Sequence, residues 1–287
     1  MVMSLSSLQL DAFVAVAKVQ SFSGAAKALN ITQSALSQRI LNLESELGST
    51  LFLREPSGIR LTELGQKLLR YCQMKDSLED QFVGSLRPKK NHELSGLIRF
   101  GGFSTVTRSV ILPSLNPILK ENSDVQIELM TKELRELPRL LETGEADFIF
   151  VNKVSEKQGI ENIQIGFEEN VLVQPAKGSF REDVFLDHDS EDSTTTDFFK
   201  LQSQALKTWK RSYFDEIYAI IDGVLSGAGR AVMPLHLARQ IEGLKICRGF
   251  KSLKSPVYFC FYRQAFYTNL QKRVMAEVTA RAPKMLR

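Results

Sequence analysis

The periodicity of the chain changes once, at Arg87-Pro88-Lys89-Lys90-Asn91, and that change limits the possible folds more than any other feature of the sequence. Before it, apolar residues recur at helical spacing with one extended interruption; after it, strand-like and helix-like stretches alternate. A chain of 287 residues with such a break divides into about two domains, since a single core rarely grows to this size. With 43% hydrophobic and 24% charged residues, it has the composition of an ordinary globular protein, which excludes a disordered or fibrous chain.

The first 90 residues predict a compact helical module. Leu10, Phe13, Val14 and Ala17 mark one face of a first helix that Ser6 or Ser7 caps. Ser23 precedes a short Ala-rich helix. Thr32 opens a third, QSALSQRILNLESELG, which ends at Gly48 and puts Leu36, Ile40, Leu43 and Leu47 inward. Ala25, Ala26 and Ala35 are expected at close contacts between these helices. LFLREPSGIRLT, with Pro56-Ser57-Gly58 at its tip, reads as a two-stranded wing. From Thr62 a long helix follows, where Leu64, Leu68, Tyr71, Lys75, Leu78, Phe82 and Ser85 step alternately by 4 and 3. That stripe packs either on its own chain or, as the spacing favours, as a seam between two chains, with Lys75 as its flaw.

Beyond the break the expected elements are a strand at 97–100, a helix with Val110, Leu112, Leu115, Ile118 and Leu119 inward, and a strand at 125–129. A helix around Leu137–Leu141 contains an off-pattern Pro138, and ADFIFV (146–151) is an apolar strand. A second set follows, ending in an amphipathic helix from about Tyr267 to Ala280. Such alternation predicts a parallel sheet with helices on both faces, arranged as two small α/β lobes with a cleft between them.

The exposed side of the third helix carries the chemistry. Gln33, Ser34, Ser37 and Gln38 lie outside its apolar face, near its N-terminus, and no acidic residue occurs between Thr32 and Asn42. Gln pairs bidentately with adenine and Ser serves any base edge, so this surface suits a major groove. Arg39, Arg54 and Arg60, on the helix and wing, suit phosphates or a narrow minor groove. The first 90 residues also hold 11 Lys+Arg against 8 Asp+Glu, three of the chain's net four positive charges.

The run from Ser21 to Leu69 resembles the winged helix-turn-helix of LysR-type transcriptional regulators. It carries Ala25-Ala26, Leu29, Gln33, Leu36-Ser37, Leu43-Glu44, Leu51-Phe52, Arg54, Leu61-Thr62 and Gly65 in that family's order. LLETGEADFIF (140–150) and VLSGAGRAVMP (224–234) resemble, more weakly, its effector domain of two subdomains built like small periplasmic binding proteins. The resemblance implies a DNA-binding domain at 1–62, a linker and dimerisation helix at 63–90 and an effector domain at 91–287. Lobe I would span about 94–165 and 263–287, and lobe II about 166–262. It implies a homodimer or tetramer joined through Leu64, Leu68, Tyr71, Leu78 and Phe82. Such an oligomer binds an interrupted dyad in double-stranded promoter DNA, and contacts RNA polymerase if it activates. Gln33, Ser34, Ser37 and Gln38 would read bases, with Arg54 reaching the minor groove.

The implied ligand is a small-molecule co-inducer or co-repressor. The DNA-binding segment is most similar to the lysine- and arginine-responsive subgroup, which makes an amino acid, a basic one in particular, the guess. Ser104, Thr105, Arg108 and Thr131 from lobe I, with Asp187 and Asp222 from lobe II, are the candidate effector contacts. No cofactor, metal site or enzymatic activity is expected. Cys72, Cys247 and Cys260 are scattered and there are three histidines. GAGRAV (227–232) fails as a dinucleotide fingerprint because its third glycine position holds Val232 and its glycines follow a helix. Residues 187–198 fail as a calcium loop, with Asp192 and Phe198 where Gly and Glu belong. A transport-type binding protein would leave the first 90 residues unexplained, and a constitutive DNA-architectural protein would leave the other two-thirds idle. The start MVMSLSSLQLDAF does not read as a secretory signal and no run of about 18 apolar residues occurs, so a cytoplasmic protein is expected.

Overall fold

The computed structural model describes residues 5–55, 58–85, 94–202 and 209–286. Helix α1 (Ser7–Val19) starts where the Gln9 side chain accepts from the Ser6 N–H at 3.3 Å. Helix α2 (Phe22–Ala28) begins earlier than Ser23 because Ser21 Oγ accepts from Gly24 N–H at 3.2 Å. Helix α3 (Gln33–Leu47) runs from the Thr32 cap to Gly48 at φ 64°, a conformation that costs glycine least. Phe13, Leu36, Leu43 and Leu51 are fully buried between these helices. Ala25 and Ala26 are buried as expected, but Ala35 is exposed, on the outward side of α3.

The wing is the antiparallel pair β1 (Phe52–Glu55) and β2 (Gly58–Leu61). Helix α4 (Glu63–Ser85) follows, with Thr62 Oγ1 accepting from Gly65 N–H at 3.0 Å. The stripe expected to join two chains divides along its length. Leu68 is only 7% exposed and packs with Leu69 and Cys72 into the core of its own helix-turn-helix, and Leu64 packs beside it. The first turns of α4 are therefore corrected from seam to core. Tyr71, Leu78 and Phe82 remain exposed farther along, and Lys75 is held by Glu79 one turn on, at 2.6 Å. The break at 87–91 lies outside the described residues.

The second domain opens with β3 (Ser95–Gly102) and helix α5 (Ser104–Val106), which continues through a π-helical turn (Thr107–Ile111) into α6 (Leu112–Glu121). Leu112, expected inward, is 39% exposed. Strand β4 (Asp124–Thr131), helix α7 (Leu137–Glu142) and strand β5 (Phe148–Val151) complete lobe I's first half. Pro138 falls in the first turn of α7, where its missing N–H breaks no helical bond.

Then come β6 (Ile160–Pro175), β7 (Val184–Asp187), α8 (Thr194–Lys200), β8 (Lys210–Tyr213), α9 (Ile217–Leu225) and β9 (Ala231–Pro234). The chain closes with α10 (Leu235–Ala238), β10 (Leu244–Ile246), β11 (Leu253–Tyr262) and α11 (Asn269–Met285).

The sheet is mixed rather than parallel. β4, β3 and β5 run parallel, but β11 returns antiparallel between β5 and β6, and β9 and β10 pair antiparallel with the far end of β6. One sixteen-residue strand, β6, thus serves both lobes. Its partner β11 crosses with it: residues 258–260 pair with β5 of lobe I, so the changeover on β11 falls near Pro256. The register shifts between Val257 and Tyr258, opposite Gly166, whose φ of 154° favours a residue without Cβ. An added Cβ there would lie 2.9 Å from Leu286 Cδ1. Phe100, Phe148, Phe150, Phe259 and Phe261 form lobe I's core, with ring centroids 5.1–6.4 Å apart. Lobe II buries Val173, Leu186, Ile221 and Met233 on one side and Phe185 with Phe198 on the other.

Candidate DNA-reading surface and effector cleft

The outward face of α3 is polar because its apolar residues are consumed beneath it. Gln33, Ser34 and Gln38 are exposed, and Ser37 and Arg39 are half-buried. Thr32 Oγ1 receives the Ala35 N–H at 3.2 Å, and the Thr32 and Ser34 hydroxyls lie 3.0 Å apart. Gln38 Nε2 donates to Asn42 Oδ1 at 2.8 Å, which restrains the amide on this exposed face. The Ala35 methyl stands among these groups, the kind of surface that meets a thymine methyl. Arg60 is exposed on β2. Arg54 belongs to β1, and its side chain lies outside the described part of the structure.

Between the lobes is a cleft of about 450 Å³, of the size that holds a small metabolite. Ser104, Thr105 and Thr131 line it from lobe I. The other three expected contacts do not, and each is corrected for a physical reason. Asp187 is 2% exposed and turned into lobe II, where Thr195 Oγ1 donates to one oxygen and the Arg211 guanidinium to the other. Burial pushes its carboxyl above the ordinary range, and those two donors offset this only in part. Arg108 lies with its guanidinium 4.2 Å over the Tyr218 ring, tying lobe I to α9 instead of facing a ligand. Asp222 projects from the solvent side of α9.

The structure brings forward other groups. Seven acidic side chains line the cleft (Glu133, Glu168, Asp189, Glu191, Asp192, Asp215 and Glu216) against the basic Lys132 and Arg135, so its field favours a cation. Two contacts close across its mouth: His188 Nε2 meets Glu133 Oε1 at 3.2 Å, and Arg135 Nη1 meets Glu191 Oε2 at 3.1 Å. Burial lowers the affinity of His188 for its proton, but the hydrogen bond and charge of Glu133, with Asp215 and Asp189 nearby, outweigh it and raise the group above its ordinary value. At the floor, Thr105 Oγ1 donates to Glu168 Oε1 at 2.8 Å, and His236 Nε2 lies 3.0 Å from the same oxygen.

The acidic loop after β7 is held by its own backbone. Asp189 Oδ1 accepts from the N–H groups of Glu191 and Asp192, Asp192 accepts from His188 and Thr194, and Arg211 donates to the carbonyls of Asp189 and Asp192. Among the described residues no cluster of His, Cys, Asp and Glu has the arrangement of a metal site, and no helix is long and apolar enough to cross a membrane. Burial pushes the thiols of Cys72 and Cys260 up to about 12 and raises that of Cys247, so none is a poised thiolate.

Residues 8–66 match the family described as bacterial regulatory helix-turn-helix protein, lysR family, and residues 91–283 match the LysR substrate binding domain. The chain belongs to the LysR family. This LysR-type regulator is 28% identical over 235 residues to the HTH-type transcriptional regulator YofA of Bacillus subtilis, covering 80% of this chain and 81% of that one. CzcR of the same organism is 27% identical over 301 residues, with 96% and 97% covered. The full-length LysG of Corynebacterium glutamicum with bound effector Arg superposes with a TM-score of 0.71 at 17% identity, covering 97% and 98% of the two chains. ArgP of Mycobacterium tuberculosis gives 0.71 at 21%, covering 96% and 97%. The architecture is that of full-length regulators of this family: a helix-turn-helix domain joined to an effector domain that modulates DNA binding.

Glu168 and His236 were missed by sequence reasoning, and the mark that Glu168 carries appears only once the strand is folded. In β6 the apolar Phe167 is 47% exposed while its neighbour Glu168 is 7% exposed, the reverse of what a strand's two faces ordinarily show. Local rules broken in this way mark functional sites. His236 left no such mark, because its role depends on β9 lying against β6.

Proposed function

We propose that this LysR-type regulator reads promoter DNA through Gln33, Ser34, Ser37 and Gln38, steadied by Arg39, Arg54 and Arg60. Its response is set by a small cationic, amino-acid-like effector in the interlobe cleft. The division into 1–62, 63–90 and 91–287 assigns DNA reading, oligomer formation and effector sensing in turn. The oligomer is a homodimer or a tetramer made of two dimers, joined along α4 through Tyr71, Leu78 and Phe82. It acts in the cytoplasm, catalyses no reaction, and contacts RNA polymerase where it activates. Affinity and specificity both support an oligomer, since two linked recognition helices gain by effective concentration what one module lacks.

One observation carries the effector class: the carboxylate-dominated lining of the cleft with Glu168 at its floor. Ser104, Thr131, Lys132 and Asn152 on the lobe I side supply the complementary donors for a carboxylate, so a zwitterion with a second positive charge satisfies both sides. LysG, whose structure contains Arg as effector, shares this architecture and lends the basic amino acids support as first candidates. The test is selection of random duplex DNA by the full-length protein with and without L-arginine or L-lysine, with Gln33→Ala/Gln38→Ala run alongside. Recovery of an interrupted dyad that relaxes in the double variant and whose affinity or footprint shifts with the amino acid supports the reading. A ligand that binds the effector domain yet leaves footprint and affinity unchanged refutes the coupling.

A further inference from the structure

We propose that Glu168 is the residue that recognises the effector's positive charge, a deepening that rests on the cationic-effector reading above. Its side chain is 9% exposed, a depth at which carboxylates ordinarily sit fully paired. Among the described residues only one of its oxygens is paired. Oε1 takes the Thr105 hydroxyl at 2.8 Å and His236 Nε2 at 3.0 Å, which occupies both of its lone pairs. Oε2 receives no hydrogen bond from the described residues, and it is not among the fully buried unpartnered atoms, so its exposed surface is the cleft that Glu168 lines.

His236 Nδ1 is buried with no partner among the described residues. A proton there would leave an unmatched buried N–H, so hydrogen bonding favours an N–H at Nε2, directed at Oε1. The imidazole thus orients the carboxylate through that contact. An ammonium or guanidinium entering the cleft finds at Oε2 a pre-aimed acceptor with low surrounding dielectric, where a charge-assisted hydrogen bond is strongest.

The position of Glu168 gives this contact a reach beyond recognition. Thr105 belongs to lobe I, His236 to lobe II, and Glu168 to β6, two residues from the register shift at Gly166 where the crossing strands change lobes. A ligand pulling on Oε2 therefore acts on a carboxylate already tied to both lobes at their pivot, so recognition and the angle between the lobes share one group.

The test uses the full-length protein and two matched ligand pairs, L-arginine against L-citrulline and L-lysine against L-norleucine, by calorimetry and thermal shift. In each pair the second member lacks the side-chain charge. Wild type is expected to favour a charged member. Glu168→Gln keeps an oxygen for Thr105 and His236, so it is expected to weaken the charged ligand by about 10- to 100-fold while changing the neutral one little. The readout is the ratio of charged to neutral ligand affinity, which a merely structural role would not move. Should Glu168→Gln fold poorly, Glu168→Asp retains charge at shorter reach and is expected to keep the preference with weaker affinity. A wild type that favours charge, with an unchanged charged-to-neutral ratio in Glu168→Gln, overturns the assignment and leaves the cationic-effector reading standing. A wild type that binds no charged ligand, or shows no preference for charge, overturns both.

Discussion

Removing the Arg211 guanidinium should destabilise lobe II far more than an average surface substitution, and the deficit should shrink as the pH falls. Asp187 is 2% exposed, and among the described residues Arg211 is the only charged group that hydrogen-bonds it. In Arg211→Leu a buried carboxylate is left with the Thr195 hydroxyl alone. Breaking such a pair from one side costs about 3–5 kcal/mol, because one charge stays buried and uncompensated. Because β6 and β11 join the lobes into one sheet, the effector domain is expected to unfold as a unit. At roughly 2–4 °C per kcal/mol for a domain of this size, the Tm falls by about 6–20 °C. The chain's single tryptophan, Trp209, lies 5.5 Å centroid to centroid from Phe185 on the strand that carries Asp187, so its fluorescence during heating reports the event locally. The sign of the pH effect follows from the carboxyl's raised folded value, which burial causes. An acid raised on folding binds more protons folded than unfolded, so it loses stability as pH rises through that window. Loss of Arg211 raises the folded value further and widens the window upward. Arg211→Leu should therefore approach wild type toward acid pH, and adding Asp187→Asn should recover part of the neutral-pH loss. A Tm change under about 2 °C, or a deficit that grows on acidification, refutes the reasoning.

Four further outcomes are expected. Leu68→Ala should lower the Tm of the DNA-binding module by an amount equivalent to about 2–4 kcal/mol and leave the oligomer intact, whereas Phe82→Ser should weaken self-association at least about tenfold in sedimentation and leave the fold alone. Gln33→Ala should relax base preference at one position of the selected DNA site at a cost of about 1–3 kcal/mol, measured by competition at fixed salt. The Glu133–His188 contact contributes most below 6.5, the ordinary value of histidine, and is lost as pH rises through the raised folded value. Glu133→Gln should flatten the pH dependence of effector affinity across that range, and an unaltered profile would exclude the contact from closure.

The helix-turn-helix was legible because its rules are local: caps at Thr32 and Thr62, the stop at Gly48 and apolar residues at helical spacing fix each element before any long-range contact forms. The polar face of α3 followed by subtraction, since Leu36, Ile40 and Leu43 had to point the other way. The lobes were legible only as alternating elements. Whether a strand pairs parallel or antiparallel depends on where the chain returns, so the mixed sheet and the shared strands β6 and β11 were decided by tertiary structure. The same holds for α4, where one regularly spaced stripe hid the change from self-packed Leu68 to exposed Phe82, because spacing cannot say which surface covers a helix face. In the cleft, a carboxylate's role depends on what faces it. Asp187 reads as a ligand contact until Arg211 arrives from β8 to pair with it, and Glu168 becomes one because Thr105 and His236, 63 and 68 residues away in sequence, converge on a single oxygen and leave the other open to the cleft.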